Sequence, residues 1–344
     1  MVDERPGPMA AHRIGVVIPY CQRKPGLLAG AVRSVLDQED ARATSIVIVD
    51  DGSPLPARTE LATLPEGALD RVHLIEQANA GVSAARNRAL DAMPDDTEFI
   101  AFLDSDDSWH PGHLANACAA LDQGYDFYFA DHRREGAAQT RFAECGLTGA
   151  AGTRLPVGRN VYGYDADLFS GIMRKSPVGT PTVVFRRAIA PELRFNETLS
   201  VGEDALFWLS LIHLGARVGF CTEEEVSCGL GVNIYAGPSW GSAEMLVVLV
   251  SLADFHRAMP KLVPIPADLA AWNAAWCGQL RRDFAANFVH LACGSGRKSI
   301  DWRIVWRYFC SEPRLAGDIL LAPVIAILRK VRGLIAPDGG SPAS

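Results

Sequence analysis

The sequence has no CxxC pair, no apolar leader at its N-terminus and no uninterrupted apolar run of 18 residues. Its eight cysteines are scattered and too sparse for a disulfide scaffold, which indicates reduced thiols. Residues 1–12 lack an apolar core segment, so we expect a flexible N-terminus and not a secretory signal. Without a long apolar run we predict no transmembrane helix. These absences together predict a cytoplasmic protein.

An excess of basic charge is also missing, since 33 Lys and Arg stand against 40 Asp and Glu. The resulting net charge of −7 argues against a general nucleic-acid binder, and we expect no nucleic-acid partner. Hydrophobic residues at 49% and charged residues at 21% exclude a disordered, collagen-like or coiled-coil chain. The charge is uneven, however, because residues 281–332 carry a net +6. This basic region on an acidic protein indicates a role of its own.

Strand and helix patterns alternate along roughly the first two thirds of the chain. Short apolar runs at Ile14–Tyr20, Ser45–Val49 and Phe99–Leu103 indicate strands buried on both faces. Because helical patterns separate them, we predict a doubly wound α/β fold around a parallel sheet. Residues 133–163 show weak periodicity and are expected to form an irregular connection. The remaining chain has helical spacing, which predicts a C-terminal helical extension.

Carboxylates follow two of these strands, at the edge where open α/β sheets bind ligands. Asp104 and Asp106 stand two residues apart in a turn and can share one side of Mg²⁺ or Mn²⁺, which prefer oxygen ligands. Asp51 can accept hydrogen bonds from a base or a ribose. The alternatives are an ordinary Asp-rich turn at 104–106 and a plain Asp-Gly turn at 51–52.

Two further polar clusters lie at predicted helix starts. Ser83 is expected to cap a helix, and Arg86, one turn further on, can reach a diphosphate through charge-assisted hydrogen bonds. Glu203 and Asp204 precede an apolar helix, where the helix dipole stabilises a carboxylate that can act as a general base. The alternatives are an exposed Arg on an ordinary helix and a simple acidic cap.

Five segments, taken in order, resemble one family: IPYCQR, IVIVDDGSP, NAGVSAARN, FLDSDD and VGEDALFW. Together they resemble the bacterial-type glycosyltransferases of family 2, which have a GT-A fold. The likeness covers residues 13–235. It implies a nucleotide half at about 13–110 and an acceptor half at about 111–235. Residues 236–344 would then form the helical extension.

The resemblance implies donor contacts from six residues at strand and helix ends: Pro19, Tyr20, Asp51, Arg86, Asp104 and Ser105. Asp51 would read the base, Asp104 would lie close to the ribose or the metal, and Asp106 would bind the Mg²⁺ or Mn²⁺ ion. Asp204 would be the catalytic base, and Glu203 would support the site or contact the acceptor.

The chain departs from the family pattern at two places. Relatives often have a small residue and Tyr-Asn after the proline, where this chain has Tyr20, Cys21 and Gln22. Many relatives also place a His near the metal after the Glu-Asp helix. Residues 229–233 contain none, which leaves no third protein ligand there.

The activity implied is that of an inverting, hexosyltransferase-like enzyme of polysaccharide biosynthesis. It would move a sugar from a nucleotide-diphosphate sugar, with UDP-sugars expected first, to a hydroxyl of a glycan or lipid-linked acceptor. Two alternatives stay open: a sugar-phosphate nucleotidyltransferase and a non-catalytic assembly subunit. The former usually has a Gly-rich loop after its first strand, whereas residues 21–26 hold one Gly. The set of Asp104, Asp106 and Asp204 argues against the latter.

The basic C-terminal region predicts contact with a membrane surface. Ile319–Leu328 is apolar but too short to span a bilayer, and Arg329, Lys330 and Arg332 follow. This pattern fits shallow insertion into an anionic leaflet on the cytoplasmic side. Four tryptophans at i, i+4 spacing could form a core or an interfacial stripe: Trp272, Trp276, Trp302 and Trp306. The alternatives are helices that pack on the catalytic body and a homodimer formed through them.

Overall fold

The structure, a computed structural model, describes residues 13–39, 44–230, 239–294 and 299–323. The described residues form two compact units. The first consists of 13–198 and 203–230, and the second of 199–202 and 239–323. The domain boundary predicted at 235 and 236 lies outside the described residues.

The first unit alternates strands and helices, as the apolar runs predict. Its strands are β1 Ile14–Tyr20, β2 Thr44–Asp51, β3 Val72–Gln77, β4 Phe99–Phe102, β5 Ser108–Trp109, β6 Phe127–Arg134, β7 Gly152–Arg154, β8 Val161–Tyr164, β9 Val184–Arg186 and β10 Val218–Cys228. Its helices are α1 Leu27–Leu36, α2 Ala57–Leu61, α3 Val82–Asp91, α4 His113–Asp122, α5 Arg141–Cys145, α6 Leu168–Lys175 and α7 Glu203–His213. Every residue of β1 is buried, which matches a strand covered on both faces.

The strands form one mixed sheet in the order β3-β2-β1-β4-β9-β6-β10-β8-β7, with β5 beside β10. Strands β3, β2, β1 and β4 are parallel, as predicted. Strand β9 is antiparallel to both β4 and β6, so the expectation of a wholly parallel sheet is wrong at this point. An apolar run such as that of β9 carries no signal of its direction.

Residues 133–163 are more regular than predicted, because they contain α5, β7 and much of β8. Strand β8 pairs with β10, and Gly163 lies opposite Gly219. Strand β10 itself was not predicted, since the acidic residues 223–225 interrupt its apolar pattern. These elements depend on pairing between segments that are far apart in sequence.

The second unit is helical, as predicted. It contains α8 Ala243–Leu262, α9 Ala267–Cys293 and α10 Trp302–Ser311, and residues 315–323 are also helical. Its core includes Leu249, Phe284 and Tyr308. Among the described helices, none has both the length and the apolar character that crossing a bilayer requires.

Candidate active site

The turn after β4 places two carboxylates outward and two polar side chains inward. Asp104 and Asp106 are partly exposed, whereas Ser105 and Asp107 are buried. The turn begins where the parallel part of the sheet ends, at the carboxyl end of β4. The outward pair is therefore the one that the Asp-x-Asp spacing predicts for a cation.

The two inward side chains anchor this turn. Gln22 Nε2 donates to Ser105 Oγ at 3.2 Å, and the N–H of Gly229 donates to Asp107 Oδ1 at 2.8 Å. Burial and the two neighbouring carboxylates raise the pKa of Asp107 well above its usual range. Since the Ser105 hydroxyl is buried against Gln22, a donor contact from Ser105 would come from its backbone.

The chain passes close over the acidic turn at Gly229. A Cβ at this position would lie 2.3 Å from the backbone oxygen of Asp106, so only glycine fits. A His at position 229 is therefore impossible, and residues 231–233 lie outside the described residues. Across the described ranges, no three His, Cys, Asp or Glu residues cluster as a metal site.

The chemistry of Asp104 and Asp106 fits a divalent metal ion. Two partly exposed carboxylates supply hard oxygen ligands, and Arg86 occupies one oxygen of Asp104. Mg²⁺ and Mn²⁺ are commonly bound through one or two carboxylates together with substrate phosphates. These two residues would hold the ion, with its remaining positions available to a diphosphate.

Arg86 connects the acidic turn to the start of α7. Its Nη2 donates to Asp104 Oδ1 at 2.8 Å and its Nη1 to Glu203 Oε1 at 3.2 Å. Arg86 is 4% exposed, and its guanidinium lies over the ring of Phe195, 5.2 Å from the ring centre. Burial opposes its charge, yet Asp104 and Glu203 raise the pKa of Arg86 above the ordinary value. An exposed Arg on an ordinary helix is therefore the wrong interpretation.

Glu203 is the first residue of α7 and is mostly buried beside Arg86. Burial and the neighbouring Asp204 raise the pKa of Glu203 to about 7, although Arg86 opposes this shift. A carboxyl group with such a pKa changes its charge near neutral pH. Burial and its neighbours thus set the pKa of Glu203, which distinguishes this residue from a simple exposed cap.

We expect this shift to appear in the pH dependence of stability. The folded protein keeps the Glu203 proton to higher pH than the unfolded chain, so it binds more protons between about pH 5 and 7. Its free energy of unfolding should therefore fall as the pH rises through this interval. Glu203→Gln should flatten the fall, measured by urea denaturation with a chelator present. Equal slopes in wild type and variant would contradict the prediction, and Glu192→Gln, at an exposed position, is the control.

Asp51 holds the loop that leads into α3. Its Oδ1 accepts from Gln77 Nε2 at 2.8 Å and from the N–H of Ala80 at 2.7 Å, and its Oδ2 accepts from the N–H of Gly81 at 2.8 Å. A carboxylate has about four acceptor positions, so a ligand N–H would add a fourth bond. Helix α3 begins at Val82 without a side-chain cap.

The prediction that Ser83 caps α3 is wrong, because the helix begins one residue earlier. Ser83 instead lies in the first turn and is buried.

Two residues expected to contact the donor lie at the end of β1. Pro19 is buried and pairs with Val49, and the ring of Tyr20 is 1% exposed within the core. Any donor contact of Tyr20 would therefore come from its backbone.

Asp204 follows Glu203 in the first turn of α7. Its Oδ1 accepts from the N–H of Ala205 at 2.6 Å, and its Oδ2 accepts from the hydroxyl of Thr180 at 3.1 Å. Both oxygens thus have one protein donor and keep room for another partner. This is a suitable arrangement for a carboxylate that receives a proton from a bound hydroxyl.

Three site residues were missed by sequence reasoning: Gln22, Asp107 and Thr180. Asp107 stands in the same acidic run as Asp106, and Gln22 follows the first strand, so both lay within segments that carried a signal. Thr180 had no such signal. Its contact with Asp204 depends on how the chain before β9 is placed.

Known proteins resemble this chain in sequence and in fold. The model of glycosyl transferase family 2 matches residues 15–176. Succinoglycan biosynthesis protein ExoW of Rhizobium meliloti strain 1021 is 34% identical over 323 residues, which cover 89% of this chain and 96% of that protein. The GalNAc(5)-diNAcBac-PP-undecaprenol beta-1,3-glucosyltransferase of Campylobacter jejuni is 25% identical over 237 residues, or 65% of this chain and 70% of that enzyme.

Among solved structures, the mannosyltransferase PcManGT from Pyrobaculum calidifontis, in complex with GDP-Man and Mn²⁺, has a similar fold. The TM-score is 0.55 at 16% identity, covering 94% of this chain and 89% of that one. The predicted GT-A fold with C-terminal helices is confirmed. The match to ExoW extends over nearly the whole of both proteins at more than 30% identity. The chain therefore belongs to glycosyl transferase family 2.

Proposed function

We propose that this glycosyltransferase inverts the configuration of the transferred sugar and uses Asp204 as general base. One observation carries the proposal. Arg86 joins Asp104, in the acidic turn, to Glu203, which directly precedes Asp204. The acidic turn, which is suited to a metal-bound diphosphate, is thereby tied through one buried guanidinium to the start of α7, where Asp204 lies.

The reaction follows from these roles. Asp204 accepts the proton of an acceptor hydroxyl while that oxygen attacks the anomeric carbon of the donor sugar. The bond between this carbon and the diphosphate oxygen breaks on the opposite side, so one displacement inverts the configuration. A Mg²⁺ or Mn²⁺ ion bound by Asp104 and Asp106 would neutralise charge on the leaving diphosphate. Glu203 supports Asp204 by holding Arg86.

The proposed donor is a nucleotide-diphosphate sugar, with UDP-sugars expected first. The complex of PcManGT with GDP-Man and Mn²⁺ supports a nucleotide-sugar donor and a divalent metal ion without deciding the base. The proposed acceptor is a glycan or a lipid-linked glycan. The succinoglycan role in the name of ExoW and the undecaprenol-linked substrate in the name of the Campylobacter enzyme support this class.

The function is tested first by thermal-shift screening of UDP- and GDP-sugars with Mn²⁺, since a true donor stabilises the fold by mass action. The best donor is then incubated with sugar acceptors, and the anomer formed is identified by NMR. Release of nucleoside diphosphate and a product of inverted configuration support the proposal. A product of retained configuration contradicts it, and diphosphate release from a nucleoside triphosphate with a sugar phosphate favours the nucleotidyltransferase.

We also propose that the second unit binds the cytoplasmic face of an anionic membrane. In α10, Val305 and Tyr308 are buried, whereas Trp302 and Trp306 are 52% and 67% exposed. Leu320, in the following helix, is also exposed. An amphipathic helix with outward tryptophans fits insertion at the lipid headgroups, where the indole ring is favoured. Arg329, Lys330 and Arg332, outside the described residues, would add attraction to anionic lipids.

The four tryptophans, which the sequence did not distinguish, form two pairs with different surroundings in the structure. Trp272 and Trp276 stack on each other at 6.0 Å, and both rings pack against His256 of α8. Trp276 is 39% exposed, less than either tryptophan of α10, so the pair on α10 is better suited to a membrane. Of the predicted apolar segment 319–328, residues 324–328 lie outside the described residues.

Replacing Trp306 by Gln is expected to lower binding to anionic liposomes about fivefold or more, because even partial insertion of an aromatic side chain among the lipids contributes about 1 kcal/mol. Flotation at low salt measures it, and Trp240→Gln is the matched control, since Trp240 is 56% exposed outside α10. A chain ending before Arg314 should also bind more weakly. Equal flotation of all variants contradicts membrane binding. If the protein instead forms a concentration-dependent dimer and Trp306→Gln disrupts it, the exposed side of α10 serves self-association.

A further inference from the structure

Thr180 lies where it can control the orientation of Asp204. Its hydroxyl donates to Asp204 Oδ2 at 3.1 Å, and the residue is 6% exposed. An ionised carboxylate only accepts hydrogen bonds, so the hydroxyl must be the donor in this pair when Asp204 acts as a base. The N–H of Ala205 holds the other oxygen at 2.6 Å. The carboxylate plane is thus fixed from both sides.

The segment that carries Thr180 is itself held in place. Trp109 Nε1 donates to the carbonyl of Pro181 at 2.7 Å, and Thr182 Oγ1 donates to the carbonyl of Gly179 at 2.8 Å. A Cβ at Gly179 would lie 2.5 Å from the ring of His132, so this ring packs directly on the backbone. Thr180 therefore lies in a rigid turn, and its hydroxyl has a defined position before substrate binds.

We infer that Thr180 is a positioning residue, whose hydroxyl directs the Asp204 carboxylate toward the acceptor hydroxyl. This rests on the proposed role of Asp204 as base. Proton transfer requires hydrogen-bond geometry between base and acceptor, and a displaced group can lose about 10²-fold in rate. Trp109 comes shortly after the acidic turn in sequence and bonds to Pro181, next to Thr180. The segment after the turn therefore links the carboxylates proposed to bind the metal with the residue that contacts the base.

The test compares two substitutions at position 180. Thr180→Val keeps the shape of the side chain and removes the hydroxyl, whereas Thr180→Ser keeps the hydroxyl. Each variant is assayed with the UDP- or GDP-sugar that gives the largest thermal shift, and nucleoside diphosphate release is followed. We expect Thr180→Val to lower kcat about 10–100-fold, as for loss of a hydrogen bond to a charged group, with the donor KM unchanged. Thr180→Ser should keep kcat within about threefold of wild type.

Thr182→Val is the matched control, because it removes a buried hydroxyl of the same turn that does not contact Asp204. Its kcat should fall less than that of Thr180→Val, because it loosens the turn but keeps the bond from the Thr180 hydroxyl to Asp204. If Thr180→Val and Thr182→Val lose kcat equally, or if Thr180→Ser falls as far as Thr180→Val, the hydroxyl is structural and the inference is overturned. The Ser variant decides the matter even if the Val variant proves less stable.

The Asp204→Asn variant, alone and combined with Thr180→Val, separates this inference from the proposed function. If Asp204→Asn alone keeps wild-type turnover, Asp204 is not the base and the proposed function fails. If Asp204→Asn is inactive but Thr180→Val is fully active, only the positioning role fails. When both roles hold, adding Thr180→Val to Asp204→Asn causes no further loss, because the two residues act as one unit.

Discussion

Asp204→Asn is expected to lose about 10²–10⁴-fold in kcat while it still binds the donor, because asparagine cannot accept the acceptor proton. The amide keeps the size of the side chain at the start of α7, so the helix should form as before. Turnover is measured with the donor found by thermal shift, and donor affinity by calorimetry. Loss of turnover with preserved affinity identifies a role in the chemical step.

The competing interpretation is that Asp204 serves only to cap α7. Asp167→Asn provides the comparison, since Asp167 caps α6 and accepts from the N–H of Ser170 at 3.0 Å. A capping role predicts that both variants lose a little stability and no activity. A general base predicts that Asp204→Asn alone is inactive. Wild-type-like turnover of Asp204→Asn would leave it as a cap.

Asp106→Ala is expected to remove the metal-dependent part of donor binding. The family resemblance assigns Asp106 as the metal-binding carboxylate, with Asp104 beside it. With one carboxylate lost, we expect the affinity gained on adding Mn²⁺ to disappear. Calorimetric titration of UDP and GDP, with and without Mn²⁺, measures the difference.

Asp51→Ala should weaken nucleotide binding even without metal. Asp51 fixes the backbone of Ala80 and Gly81 before α3, and we expect it to face the base and not the diphosphate. Loss of these charge-assisted bonds should lower affinity about tenfold in both titrations. If Asp51→Ala and Asp106→Ala both lost only the Mn²⁺-dependent part, the assignment of base and diphosphate roles would be wrong.

Much of the structure of residues 13–110 could be predicted from local patterns. The apolar run of β1 and the helical spacing of α1 have the same bounds in sequence and structure, Ile14–Tyr20 and Leu27–Leu36. Asp51 ends β2, and Asp104 and Asp106 follow β4, and both strands pair in parallel with β1. Such residues are predictable because a buried strand is apolar throughout and its end is marked by turn residues.

Other features depended on residues distant in sequence. Arg86 reaches Glu203 across 117 positions, and Gly229 reaches Asp107 across 122. The helical period places Arg86 on α3 but does not indicate which carboxylates surround it. The missing β10 and the direction of β9 have the same cause, because strand pairing and direction are set by the whole sheet.

The sequence by itself thus determined most strands and helices of residues 13–110, the acidic turn, the candidate base and the family resemblance, since periodicity and turn chemistry are local properties. Only the tertiary structure decided that Arg86 bridges two carboxylates, that Thr180 contacts Asp204, and that the tryptophans of α10 face outward. These facts depend on which surfaces are packed together. Burial and side-chain contact arise from the fold as a whole, so a local pattern cannot specify them.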